Sequence, residues 1–441
     1  MMPFNVFKNT VLLFVLVLIS CANLSKSEAE KQKLLEKKPK SEITTIKSQK
    51  PKIIVGANQI INYLPLLQNK RVGIVANLTS VIFKNAQDSI FEVYPKGEVE
   101  FSHIQKNDIL YTHLVDSLLS LKVNVKKVFS PEHGFRGTAD AGEHVDNGID
   151  TKSGLPIISL HGKNRKPTKE NLEGVDIMIF DIQDVGVRFY TYISTLHYIM
   201  ESCAEVNIPV IVLDRPNPNG NYIDGPTLEI ENQSFLGMHP IPLVHGMTIG
   251  EYANMINGEK WLENELQCSV TIIPVKNYTH DTFYSLPIRP SPNLPNNQSI
   301  KLYPSLGLFE GTNINAGRGT EFQFQRYGAP FLDKKMLPFI YTPISNFGAK
   351  NPKHKNVVCY GEDLKNEELN GMITLKWVIK AYENSTDKSL FFNNENFTKH
   401  AGTKKLQQQI ESGLSEEKIK LSWQEDLKNF KKTRIKYVIY D

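Results

Sequence analysis

The stretch Asp176-Ile177-Met178-Ile179-Phe180-Asp181-Ile182-Gln183-Asp184 decides the fold. Its central residues are apolar and consecutive, without the alternation of a strand that wets one face. It therefore reads as a strand buried on both faces. Acidic and amide groups follow at once at its carboxyl end. Four other runs repeat this arrangement. Arg71 to Asn77 ends in Asn77, and Val123 to Phe129 leads to Glu132 and His133. Pro156 to Leu160 leads to His161, and Ile208 to Asp214 ends in Asp214 and Arg215. Helical patterns separate the strands: Ile60 to Gln68, Ile109 to Leu121 with Leu110, Leu114, Leu118 and Leu121 on one face, and Thr191 to Val206. Buried strands alternating with helices indicate βαβ units, a parallel sheet and a Rossmann-like α/β domain. Ligands of open parallel sheets bind outside the carboxyl ends of the strands. Five strands that all end in polar side chains predict a site along one sheet edge.

From about Phe235 the chain reads differently. It has short strand-like runs such as Val270 to Val275, proline-rich turns from Leu286 to Pro295, and a glycine-rich segment from Gly307 to Gly319. Helices are expected at Gly250 to Asn257 and Ile373 to Asn384, and a strand at Tyr437 to Tyr440. The expected organisation is a Rossmann-like domain over residues 51–235 and a smaller mixed α+β domain over 236–441.

Residues 1–20 have the form of an export signal. Lys8 precedes the apolar run Val11 to Ile19, which is too short to span a bilayer. The run ends in Leu18-Ile19-Ser20-Cys21-Ala22, which resembles a bacterial lipobox, in which the cysteine is lipidated. A plain signal peptide with an incidental cysteine is the blander reading. Lipid on Cys21 would hold the protein to a membrane without a transmembrane helix. Residues 21–50 are rich in Lys, Glu and Ser and read as a flexible tether. The expectation is a lipid-anchored protein of the cell envelope that faces the periplasm.

The 441 residues are 40% hydrophobic and 22% charged, ordinary for a globular protein. The net charge of +4 owes much to the lysine-rich N-terminal segment, and it gives no reason to expect nucleic acid as a partner. Without Cys21 the cysteines are Cys203, Cys268 and Cys359, an odd and widely spaced set that offers no disulfide framework.

Several loops carry chemistry. Ser130-Pro131-Glu132-His133-Gly134-Phe135-Arg136-Gly137-Thr138-Ala139-Asp140-Ala141-Gly142 packs a carboxylate, an imidazole and a guanidinium among glycines. A loop built only for turning does not need all three, and Glu132 with His133 can serve as acid, base or ligand. Against this stands a turn capped by Glu132, with His133 on the backbone. Asp181 and Asp184 could hold a polar ligand or pair with Arg188, while Tyr190 and Tyr192 suit a sugar ring. Asp214-Arg215-Pro216-Asn217-Pro218-Asn219-Gly220 is a rigid polar loop, either a site wall or a proline-shaped connector. Glu310-Gly311-Thr312-Asn313-Ile314-Asn315-Ala316-Gly317-Arg318-Gly319-Thr320 sets Glu310, Asn313 and Arg318 among glycines, and Arg318 could hold a carboxylate by paired hydrogen bonds. GxGxxG after a strand, GxxxxGK[ST] and HExxH are all missing, and the histidines His133, His144, His161 and His245 are scattered. No nicotinamide, nucleotide or metal cofactor is expected.

Taken together, Ser130 to Gly137, Phe180 to Tyr192, Asp214 to Pro218 and Glu310 to Asn313 resemble the exo-acting β-N-acetylmuramidases, a family long catalogued only as an uncharacterised domain. His245-Gly246-Met247-Thr248, Ser291-Pro292-Asn293 and Gly317-Arg318-Gly319-Thr320 extend the resemblance, which runs from about Ile53 to the C-terminus. The stretch Phe91 to Tyr111 departs from the family pattern. The resemblance implies a Rossmann-like N-terminal domain, a smaller C-terminal domain and a cleft between them. It also implies release of a non-reducing terminal N-acetylmuramic acid from peptidoglycan fragments. Glycoside hydrolysis commonly uses two carboxyl groups, or one carboxyl with the substrate's own acetamido group. Glu132 is expected to be the acid, with Asp184, Asp181 or Glu310 as partner. Muramic acid carries a lactyl carboxylate, for which Arg136, Arg188, Arg215 and Arg318 are the candidate partners. Asn77, His133, Tyr190, Asp214 and Asn313 complete the expected substrate-binding set. The alternative is a non-catalytic envelope lipoprotein that binds muropeptides.

Overall fold

The computed structural model describes residues 52–83, 111–137, 147–369 and 371–441. The export signal, Cys21, the tether, the stretch from Phe91 to Leu110, Thr138 to Gly142 and His144 lie outside the described residues. The described ones all fall in the unit Lys52–Asp441.

Among them the strands are β1 (Val72–Ala76), β2 (Val81–Phe83), β3 (Tyr111–His113), β4 (Val125–Ser130), β5 (Gly148–Ile149), β6 (Pro156–Ser159), β7 (Ile177–Asp181), β8 (Val210–Leu213), β9 (Val270–Ile273), β10 (Arg326–Ala329), β11 (Phe339–Tyr341) and β12 (Cys359–Asp363). Seven form the central sheet, in the order β5-β6-β4-β1-β7-β8-β9. Every neighbouring pair is parallel except β5 and β6 at one edge. β1, β7 and β8 are buried at every position. Their peptide groups find partners in the ladder on both sides, and apart from Asp181 at the end of β7 their side chains are apolar, hence the unbroken apolar runs.

The strand order places the site. From β1 the chain steps outward through β4 to β6 and then returns to β7 on the other side of β1. The carboxyl ends of the two central strands are in register, with Ala76 opposite Asp181. Such a reversal leaves a crevice beyond the strand ends, where open α/β sheets bind their ligands.

The longer helices of this part are α1 (Leu114–Ser120), α2 (Tyr192–Glu205), α3 (Ile249–Gly258) and α4 (Asn297–Leu306). α1 starts later than its leucine spacing suggests. Tyr111–His113 pairs with Val81–Phe83 instead, and His113 Nδ1 accepts from the Val115 amide at 3.2 Å to cap the helix. α3 opens with a capping box between Thr248 and Glu251. Beyond α4 lie the small antiparallel sheet β10-β12-β11 and short helices that include Lys376–Glu383, Asn394–Ala401 and Gln424–Arg434.

Two expectations need correcting. Val270 to Val275 does not belong to a separate C-terminal sheet. As β9 it pairs with β8 and closes the edge of the central sheet, so that sheet draws on residues beyond 235. Tyr437 to Tyr440 does not form a strand either. The Ile439 and Tyr440 amides donate to the Glu251 carboxylate, at 2.9 and 3.3 Å, rather than to a neighbouring strand. The tail then closes on the sheet, because the Tyr440 hydroxyl accepts from the Val275 amide at 2.8 Å and donates to Asp214 at 2.6 Å. Tyr440→Phe deprives both buried groups of this partner. The expected loss is about 1–3 kcal/mol of stability, seen as a lower Tm in thermal unfolding.

Candidate active site

The chain leaves β4 through Ser130 and Pro131 and turns sharply. His133 and Gly134 both take left-handed backbone angles, φ +71° and +77°. Gly134 does so freely, whereas His133 is held there against its preference, as is common at functional turns. The turn points Glu132 and His133 into a cavity of about 330 Å³. Glu310 and Arg318 approach the same cavity from the glycine-rich segment, joined to each other at 3.1 Å.

Between these groups stands an aromatic wall. Tyr190 and Tyr192 meet edge to face, with ring centroids 4.9 Å apart, and Tyr303 lies 5.9 Å from Tyr190. The Tyr190 hydroxyl donates to the Pro290 carbonyl at 2.7 Å. Burial first, and then the nearby charges of Glu132 on Tyr192 and of Glu310 and Glu132 on Tyr303, hold these phenols well above their usual range. They stay protonated and uncharged, and so present neutral rings to a ligand, the Tyr190 proton being held by Pro290.

The acids at the ends of β7 and β8 lie one layer below. Asp181 is fully buried and bound to Arg215, Nε to Oδ1 at 2.6 Å and Nη2 to Oδ2 at 2.9 Å. Asp214 accepts from Thr248 at 2.7 Å, the Gly250 amide at 2.8 Å and Tyr440. Asn77 donates to the Tyr192 hydroxyl at 2.9 Å, and so holds the wall from behind. Asp184 accepts from the Gly186 amide at 2.7 Å through one oxygen, while its other oxygen has no partner. His245 Nε2, likewise without a hydrogen-bond partner, lies 4.0 Å from the oxygen that accepts from Gly186. Burial outweighs the Gly186 and Val185 amides and pushes the Asp184 carboxyl up to about 7.

The structure thus divides the expected substrate-binding set. Glu132, His133, Tyr190, Glu310 and Arg318 line the cavity; Asn77 holds Tyr192 of its wall, and Asp181, Asp184, Asp214 and Arg215 are not among its lining residues. Arg136, Arg188 and Asn313 are not among the residues that line the cavity. Arg136 is bound to Asp116 at 3.1 Å and Asp150 at 2.7 Å, and it covers the Phe135 ring. Arg188 is fully buried and donates to the carbonyls of Pro226, Ile241, His400 and Ala401, not to Asp181 or Asp184. Asn313 is exposed and donates to the Leu390 carbonyl at 2.6 Å. Sequence reasoning missed Phe189, Tyr303, Phe324 and His400, which also line the cavity. Tyr303 sits on α4, a helix hidden in the sequence by Pro304 within it. Asn293 reaches the cavity from the Ser291-Pro292-Asn293 motif, the one signal that could have flagged it.

The family model for the N-terminal domain of the exo-β-N-acetylmuramidase NamZ matches residues 102–298, and that for its C-terminal domain matches 301–440. The chain belongs to the NamZ exo-β-N-acetylmuramidase family. The peptidoglycan β-N-acetylmuramidase NamZ of Bacillus subtilis (strain 168) is 40% identical over 415 residues, 89% of this chain and 92% of that relative. Two crystal structures of DUF1343 family proteins from Bacteroides fragilis NCTC 9343 share the fold. One has 43% identity and a TM-score of 0.76, and covers 88% of this chain and 99% of its own. The other has 27% identity and a TM-score of 0.72, and covers 89% and 100%. The two NamZ domain models meet near residue 300, so β9 falls on the N-terminal side.

Asp184 makes the stability of this NamZ family member depend on pH. The unfolded carboxyl ionises near pH 4, at about 3.9, and the folded one near 7. Between these values the folded chain holds the extra proton. The group's contribution is therefore full below pH 4 and is lost as pH rises to 7. Urea midpoints across this window should show the wild type losing stability relative to Asp184→Asn as pH rises. Parallel curves would show that Asp184 is already ionised at low pH.

Proposed function

We propose that the chain is an exo-acting glycoside hydrolase that releases the non-reducing terminal N-acetylmuramic acid from peptidoglycan fragments, in cell-wall turnover or salvage. The observation that carries this reading is the meeting of Glu132 with the Glu310–Arg318 pair in one tyrosine-lined cavity of a NamZ-family chain. At about 330 Å³ the cavity is small. Ligand pockets commonly measure about 300–1,000 Å³, so this one suits a terminal sugar better than an extended glycan.

In this reading Glu132 protonates the glycosidic oxygen as the bond to the anomeric carbon breaks. Charge developing at that carbon is met by Glu310 or by the substrate's own acetamido oxygen, and water completes the hydrolysis. Asp181 is spent on Arg215 and takes no part. Of the four arginines considered for the lactyl carboxylate, Arg318 alone lines the cavity, so it receives that role. Tyr190, Tyr192 and Tyr303 pack on the ring. The B. subtilis relative's name as a muramidase favours catalysis over a purely binding role.

Glu132→Gln should lower kcat on a chromogenic N-acetylmuramide by about 10²–10⁴-fold, the usual worth of a general acid. Arg318→Leu should act chiefly on KM, and only for the muramide, not for the matching glucosaminide. Full activity in Glu132→Gln would refute the acid role, and a wild type inert towards the muramide would refute the activity.

The lipobox-like Leu18-Ile19-Ser20-Cys21 supports a lipid-anchored protein facing the periplasm, where such fragments arise. Labelled palmitate should enter the expressed chain and be absent from Cys21→Ser; equal labelling of both would exclude this anchor.

A further inference from the structure

Next to Glu310 lies Lys353, a lysine exposed along its stem whose ammonium donates only to backbone carbonyls. Lys353 Nζ donates to the carbonyls of Phe309 at 2.9 Å, Glu310 at 3.1 Å, and Thr312. An ammonium has three donors, and here each has an acceptor. The acceptors cluster at the end of the single turn Gly307–Gly311, where carbonyls run out of intrahelical partners. The same short segment grips the following residues. The Lys353 carbonyl accepts from Asn315 Nδ2 at 2.9 Å, and His354 Nε2 lies 2.6 Å from the Asn313 carbonyl. Residues 353 and 354 thus clamp residues 309–315, the stretch that carries Glu310 and leads to Arg318.

The charge count in this corner matters as much as the clamp. Arg318 is already matched by Glu310 at 3.1 Å. That pair alone is neutral, and a neutral pair is a poor receptor for a second carboxylate. The Lys353 ammonium leaves the corner with a net positive charge. Loss of water around the ammonium, wedged among three carbonyls, lowers the amine to about 8, although the residue as a whole is exposed; Glu310 opposes that fall and Arg318 adds to it.

We infer that Lys353 is a positioning and specificity residue. It fixes the turn that carries Glu310, and it supplies the excess positive charge by which the Glu310–Arg318 corner accepts an anionic group on the terminal sugar, the lactyl carboxylate. This rests on the muramic acid reading above and deepens it. A filler of carbonyl sites would need only donors; a specificity residue needs its charge.

The groups facing Lys353 are Glu310 and Arg318 on the clamped stretch, its neighbour His354, and His400 at the end of Asn394–Ala401. Burial holds both imidazoles below their usual range, so neither gains charge between pH 7 and 9. The test is calorimetric binding of free N-acetylmuramic acid and of its lactyl methyl ester, with wild type, Lys353→Met and Lys353→Arg, at pH 7 and 9. At pH 7 Lys353→Met should bind the acid about tenfold more weakly, the order expected for loss of one close charge, with the ester unchanged. Lys353→Arg should restore the preference. Wild type should lose acid affinity between pH 7 and 9 and keep ester affinity, whereas Lys353→Arg should show no such step. In turnover of the muramide, Lys353→Met should raise KM more than it lowers kcat. Equal weakening of acid and ester, or an acid preference that survives Lys353→Met, overturns the inference alone. A wild type that binds neither sugar overturns the substrate reading and the inference with it. Should Lys353→Met fail to fold, Lys353→Gln, which keeps hydrogen-bond donors without the charge, decides, and an acid preference there equal to the wild type's overturns the inference.

Discussion

The buried pair Asp181–Arg215 is the constraint on which the site rests. Its side chains are 0% and 3% exposed, and they face each other at 2.6 Å at the carboxyl ends of β7 and β8. A charge so placed is tolerable only with its partner, since removing one member of a buried pair commonly costs about 3–5 kcal/mol. The second Arg215 nitrogen donates to the Val81 carbonyl at 3.0 Å, so the pair also secures the β2 end of the crevice. Ser80 joins the Asp181 carbonyl to the Asn77 amide, and Asn77 in turn holds Tyr192. Through this chain of contacts Tyr192 of the cavity wall is tied to the ends of the buried strands β1 and β7.

A division of labour follows among groups of the same chemical kind. All four arginines with a claim on an anionic ligand have partners, and three of them have those partners away from the cavity: Arg136 two aspartates, Arg188 four carbonyls, Arg215 Asp181. Each lies in a motif of the family, yet each serves the fold. Arg188 shows why. Its guanidinium joins the loop at Pro226, the strap at Ile241 and the end of the helix Asn394–Ala401, three segments far apart in sequence. A planar fork with five donors can satisfy several buried carbonyls at once, which no smaller polar side chain can do.

The later part of the chain reaches the cavity by a different route. Rather than a strand end, a tight turn carries Glu310, a glycine-rich loop carries Arg318, and the helix α4 with a proline inside it carries Tyr303. The turn and the glycine-rich loop have little regular hydrogen bonding of their own. The turn is held by side chains from elsewhere, Lys353 among them, and Tyr303 of α4 packs on Phe189 at 5.2 Å.

By itself the sequence determined the sheet, its parallel sense and the edge that bears the site. Continuous apolar runs such as Ile177 to Phe180 are stable only where both faces are covered, and that requirement is local enough to read from the residues. It also determined that Glu132 and Glu310 stand in glycine-bearing turns and that the family motifs are present in order. What it could not determine is which polar group meets a ligand and which meets its own chain. Asp181 and Glu132 look alike as strand-end acids, but one faces Arg215 and the other the cavity. That distinction depends on contacts between residues 34 to more than 200 positions apart, such as Asp181 with Arg215 and Arg188 with Ala401. The edge position of β9 and the docking of Tyr440 on Asp214 were decided in the same way. Each is set by where a distant segment leaves a backbone or carboxylate group in need of a partner, and only the tertiary structure brings the two together.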